Sequence, residues 1–191
     1  MSRNLVYMMI LIVVGFLIVD LIMVFTRKPP FEIVYYRAEM EYDYSGDATF
    51  TTTAGLYFKK ASAESKYMEA YKEGSVETFK KYFEDVSKRI GREVVPVTFD
   101  STVTKRTGIV EIKETAFLKN AATVKDGVVN TSMDDLVLNV AGDSEIRVVI
   151  PDDATLIGVS PTPLKVLDNE IVWKPQSGGM KFPEVEFKRS K

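Results

Sequence analysis

VYYRAEMEYDYSGDATFTTTAGLYF, residues 34–58 of a 191-residue chain, reads as two alternating runs either side of a turn. Val34, Tyr36, Ala38, Met40, Tyr42 and Tyr44 fall on one side of an extended chain. Tyr35, Arg37, Glu39, Glu41 and Asp43 fall on the other, because successive side chains of a strand point to opposite faces. Ser45-Gly46-Asp47 supplies turn chemistry, and Phe50, Thr52, Ala54, Leu56 and Phe58 then resume the alternation. Together the runs predict an antiparallel hairpin with one buried face. A row of tyrosines also suits stacking on sugars or bases. Here the tyrosines share their face with Val34 and Met40, which favours the core.

Downstream of the hairpin the apolar period changes. Ser62 is a candidate cap for a helix lined by Ala63, Tyr67, Ala70 and Tyr71 and ended by Gly74. Ser75 starts a second helix, in which Val76, Phe79, Phe83, Val86 and Ile90 recur at steps of three and four before Gly91. That stripe suits packing on a sheet; as a coiled-coil seam, two heptads are short. From Val95 onward the pattern is strands between turns: Lys105-Arg106-Thr107-Gly108, Asp126-Gly127, Ala141-Gly142-Asp143 and Asp168-Asn169. Gln176-Ser177-Gly178-Gly179 reads as a loop before a last strand at Val185–Phe187. The fold class expected is α+β: one antiparallel sheet domain with a two-helix insertion after the first hairpin.

Working back toward the N-terminus, residues 5–25 read LVYMMILIVVGFLIVDLIMVF, with one charged residue. At about 1.5 Å per residue this helix spans roughly 30 Å, the hydrocarbon thickness of a bilayer. Thr26-Arg27-Lys28-Pro29-Pro30 follows, with no small-residue cleavage site, so the expectation is an uncleaved N-terminal transmembrane anchor in residues 1–30 and one soluble domain in residues 31–191. Arg3 and the terminal amine nearly balance Arg27, Lys28 and Arg37 in the positive-inside count. A short tail before a large domain points to a single-pass protein of the cell membrane whose C-terminal domain is extracytoplasmic. Asp20 lies roughly 7 Å inside the span, where an acid costs up to about 2.5–3.5 kcal/mol. It either reaches the headgroups through tilt or thinning, or faces a partner in the membrane.

Composition excludes much chemistry. The chain has no cysteine and no histidine, which removes disulfides, thiolate nucleophiles, Cys-type zinc sites and the usual general base. Setting Arg3, Arg27, Lys28 and Asp20 aside leaves 22 basic and 26 acidic residues in the domain, a net charge of −4. That balance argues against nucleic acid as a partner. Asp134-Asp135 and Asp152-Asp153 are the acidic doublets that could seed a cation site, although Pro151-Asp152-Asp153 reads as a turn. No phosphate-binding, dinucleotide or nucleophile-elbow motif occurs, so no cofactor, metal or enzymatic activity is expected. Asn130-Thr131-Ser132 matches a glycosylation triplet without fixing its use. One glutamine amid abundant Lys and Glu points toward a thermophilic source.

Residues 148–154 (VVIPDDA), 159–163 (VSPTP) and 171–173 (IVW) form a strand, a proline turn, a strand, a short loop and a strand ending in Trp173. This cadence, with the anchored layout, resembles uncharacterised prokaryotic, archaeal-type single-pass membrane proteins. The resemblance implies an extracytoplasmic domain of unknown function and brings no catalytic residue. The function expected is protein–protein interaction in the cell envelope, with Asp20 as a candidate intramembrane contact. The alternatives are an apolar-ligand pocket lined by Phe50, Phe58, Phe79 and Phe83, and a histidine-free hydrolase.

Overall fold

The computed structural model describes residues 30–133, 136–140, 143–175 and 178–190. The predicted anchor, with Asp20, lies outside them. Among the described residues no helix is long and apolar enough to cross a membrane.

The hairpin forms as the alternation requires. Strand β1 (Phe31–Tyr42) pairs antiparallel with β2 (Ala48–Phe58), from Phe31 opposite Phe58 to Tyr42 opposite Ala48. Asp43 Oδ1 accepts from the Ser45 and Asp47 amides at 2.8 and 3.1 Å and so shapes the turn. Gly46 stands at φ 83°, and a side chain there would meet the Ala122 carbonyl oxygen at 2.8 Å. One expected inward residue is displaced. A bulge between Ile33 and Tyr35 leaves Val34 as an extra residue, 41 % exposed.

The fold class needs correcting. Thirteen strands and one helix are seen among the described residues, so the molecule is mainly β, not α+β with a two-helix insertion. Helix α1 (Ala61–Ile90) runs unbroken through Gly74 and Ser75. A glycine in a helix interior costs only about 1 kcal/mol, and burial of Tyr67, Tyr71, Phe79, Phe83 and Val86 on both sides of it outweighs that. Ser62 is not the cap. The helix starts one residue before it, after Lys60, whose side chain makes no capping bond. Gly91 ends α1 at φ 62°, as expected of a left-handed C-terminal glycine.

Strands β3 (Val95–Arg106), β4 (Ile109–Lys119), β5 (Thr123–Lys125), β6 (Val128–Asn130) and β7 (Val137–Val140) follow. After them come β8 (Asp143–Val149), β9 (Ala154–Ser160), β10 (Lys165–Leu167), β11 (Glu170–Trp173), β12 (Gly178–Lys181) and β13 (Glu184–Arg189). The large sheet has the order β10-β11-β8-β1-β2-β4-β3; a second has β5-β6-β13-β9, and β12 pairs with β7. The expectation of a purely antiparallel sheet also fails, because β8 lies parallel to β1. The supposed loop at 176–179 in part becomes β12.

One core joins these parts. Met40, Phe50, Ile112, Leu118, Ile146 and Val148 from the inner face of the large sheet pack with Val129, Val185 and Phe187 of the second sheet. Helix α1 lies against β3 and β2, with the Phe79 and Phe99 rings stacked at 4.2 Å. Among the described residues no helix lies on the outer face of the large sheet.

Candidate functional site: the open face of the large sheet

Pairing between β1 and β8 sets Arg37 opposite Glu145 and Glu39 opposite Arg147. The four side chains share the outer face, so the register alone produces a checkerboard of charge, and opposite charges facing across strands stabilise a sheet. Arg147 is its hub. Its guanidinium reaches Glu39 at 3.5 Å, Glu145 at 3.3 Å and Glu170 at 3.3 Å, joining carboxylates from β1, β8 and β11. Beside it Arg37 donates to Asp143 at 2.6 Å, and Lys174 meets the same carboxylate at 3.2 Å. These two cations hold the Asp143 carboxyl below its ordinary range. Burial pushes Glu41 the other way, with the charge of Glu39 beside it.

On β2 and β4 the face turns to hydroxyls. Thr51 stands opposite Thr115, their oxygens 3.4 Å apart, and Thr53 stands opposite Lys113. Lys113 is exposed and makes no ion pair among the described residues. Arg37, Glu39, Thr51, Thr53, Lys113, Glu145 and Arg147 line a shallow groove of about 340 Å³. At its flank the Tyr35 ring lies on the bare backbone of Gly55. Its hydroxyl donates to Glu111 at 2.5 Å, and Arg106 meets Glu111 at 3.1 Å. Burial and the Glu111 carboxylate raise the Tyr35 hydroxyl above its usual value.

The inner face carries one buried carboxyl. Glu114 is 4 % exposed; Tyr71 donates to it at 2.8 Å and Thr52 at 3.3 Å. Burial pushes its pKa up from 4.5 to about 7, against the lowering effect of both hydrogen bonds. The hydroxyls of Tyr36 and Tyr67, buried nearby, have no hydrogen-bond partner among the described residues. Glu114 interrupts the inward series Val110, Ile112, Ala116 and Leu118, a signal the alternation of β4 already carried.

The expected site residues are dispersed. Asp20, Asp134 and Asp135 lie outside the described residues. Asp152 and Asp153 sit in a turn closed by the Ala154 amide on the Pro151 carbonyl at 2.9 Å, and their carboxylates accept from Asn169 and Tyr44, each at 2.7 Å. Phe50, Phe58, Phe79 and Phe83 are all buried in the core. Phe50 meets Tyr42, Phe58 meets Phe31 and Tyr67, and Phe79 and Phe83 meet each other at 4.9 Å. The Asn130 amide donates to Glu184 and Glu186 at 3.1 and 2.8 Å. Among the described residues no three acidic side chains gather as metal ligands would.

A mixed seven-stranded sheet, filled on one side by a long helix and a smaller four-stranded sheet, defines a β-rich domain. The chain belongs to the DUF4897 family, a domain of unknown function, which matches residues 31–188. The resemblance read from residues 148–173 thus resolves to an uncharacterised family. No curated protein matches the chain in sequence. Among solved structures, the folded domain of Mycobacterium tuberculosis LppM is similar at 11 % identity and TM-score 0.48, over 86 % of this chain and 94 % of that one. An M1 zinc metallopeptidase from Deinococcus radiodurans is similar at 7 % identity and TM-score 0.37, over 84 % of this chain and 42 % of that one. At those levels neither neighbour lends its activity to this chain.

Proposed function

We propose that this protein is a non-catalytic, membrane-tethered extracytoplasmic module that binds another protein of the cell envelope through the outer face of its large sheet. The observation that carries the reading is the charge checkerboard around Arg147, which among the described residues is left uncovered beside the unpaired Lys113 and the threonines of β2. Exposed ion pairs add little to stability, typically under about 1 kcal/mol each. Their value lies in recognition: alternating charge selects a partner with the complementary pattern and penalises others. The apolar run 5–25 supplies the tether, and Asp20 within it is a second point of contact with a membrane subunit.

Crosslinking in cells followed by purification of the full-length chain from membranes tests this. A partner recovered with the native chain is expected to be lost in a Lys113→Glu, Arg147→Glu double variant that keeps its melting temperature. Loss in Asp20→Leu instead would move the contact into the membrane. Recovery unchanged in both would remove the open face and Asp20 from the account.

A further inference from the structure

We infer that the end of the domain at which the chain enters rests on the phosphate headgroups of the bilayer. This deepens the tethered reading above and rests on it. Pairing of Phe31 with Phe58, Leu56 with Val110 and Arg106 with Ile109 brings the start of β1, the end of β2, the start of α1 and the β3–β4 turn to one end. Only residues 26–30 separate the apolar run from β1. Fully extended they reach roughly 17–18 Å, so this end cannot stand far from the membrane surface that the run leaves.

Of the three ion pairs at this end, two are sorted by depth, and the third, Lys59–Glu32, has both partners exposed. Lys105 meets Glu64 at 2.5 Å with its side chain 64 % exposed against 18 % for the acid. Arg106 is 67 % exposed against 19 % for Glu111. In both pairs the acid is recessed and the cation stands outward. Lys59 beside Glu32 is exposed as well, and Lys60 and Lys66 are exposed with no ion pair among the described residues. A domain of net charge −4 therefore presents a cationic end, directly after Arg27 and Lys28. Tyr57, exposed at the same end, is a residue type favoured at membrane interfaces. The opposite end carries Asp43 and Asp47 in the hairpin turn, and Asp153, which accepts from Tyr44 and pairs with Arg189 at 3.7 Å. Basic clusters next to a membrane span are drawn to anionic lipid.

Because the chain has no cysteine, single cysteines can carry a fluorophore uniquely. Full-length Thr107→Cys and Ser45→Cys, roughly 35–40 Å apart along the sheet, would be reconstituted with nitroxide-headgroup lipid in phosphatidylglycerol or phosphatidylcholine vesicles. We expect quenching at Thr107 at least twofold stronger in phosphatidylglycerol, and little quenching at Ser45. Changing Lys60, Lys66 and Lys105 together to Glu should abolish the lipid preference, and the same three changed to Gln should weaken it. Equal quenching in both lipids, insensitive to these changes, would assign proximity to the tether alone and overturn the headgroup contact. So would absence of quenching at Thr107 in protein that resists alkaline carbonate extraction. Extraction by carbonate would remove the tether, and the inference with it.

Discussion

The two faces of the large sheet come from the same strands and obey opposite rules. Inward, β1, β2 and β4 present Tyr36, Met40, Phe50, Leu56, Ile112 and Leu118, all nearly or fully buried, with Glu114 as the carboxyl among them. Outward, the same strands present Arg37, Glu39, Thr51, Thr53, Glu111 and Lys113. The inner face holds the fold together by excluded water and close packing. The outer face holds its charges to one another in high dielectric, where they contribute specificity and little stability. An antiparallel hairpin with one solvated side needs only polar residues there. A register that sets Arg37 against Glu145 and Glu39 against Arg147 goes further than solubility demands.

The largest expected contrast is in stability. Phe83→Ala, which empties a fully buried position beneath α1, should cost about 3–5 kcal/mol. Thr51→Ala on the outer face should stay within about 0.5 kcal/mol. Chemical denaturation of both variants checks this, and equal costs would mean that the outer face is also packed.

Next is the response to pH. Glu114 titrates near 4.5 unfolded and about 7 folded, so the folded state holds its proton more tightly. Stability is then full below about pH 4.5 and falls as pH rises to about 7, by roughly 3 kcal/mol in all. Glu114→Gln should match the native chain in acid and exceed it above pH 7. Melting curves from pH 4 to 8 that run parallel for the two proteins would show that burial does not control this carboxyl.

A smaller effect belongs to Gly55. A methyl group there would run into the Tyr35 ring, so Gly55→Ala must swing the ring off and break its bond to Glu111. A loss of about 1–3 kcal/mol is expected from urea unfolding, with Tyr35→Ala recovering part of it in the double variant. Smallest of all is Arg147→Ala, expected to shift stability by less than about 1 kcal/mol although it frees three carboxylates. A large loss there would make the checkerboard structural and weaken its reading as a recognition surface.

Much of this was legible in the sequence, and the failures have causes. The β1–β2 hairpin is legible in the alternation and in Ser45-Gly46-Asp47 at the turn, whereas the bonds that Asp43 makes to that turn are not. Gly74 predicts a stop that divides the helix, whereas aromatic burial on both sides carries α1 through it. The parallel β1–β8 pair escaped because about a hundred residues separate its strands, and no local pattern reports such a partner. Without that pair the checkerboard cannot be drawn, because it rests on which β8 residues face Arg37 and Glu39. Glu114 is legible as a carboxylate in phase with Val110, Ile112 and Ala116, a single acid that a search for acidic doublets does not reach.

The most direct test of the open face as a binding surface places a photoreactive maleimide on single cysteines in the full-length protein in its own membranes. Thr51→Cys and Thr53→Cys report from the outer face, and Ser45→Cys from the hairpin turn. One discrete crosslinked protein is expected from Thr51 and Thr53, absent from Ser45 and lost when Lys113 and Arg147 are also changed to Glu. Crosslinks of equal yield from all three positions, or none from the outer face of a folded, membrane-bound protein, would contradict it.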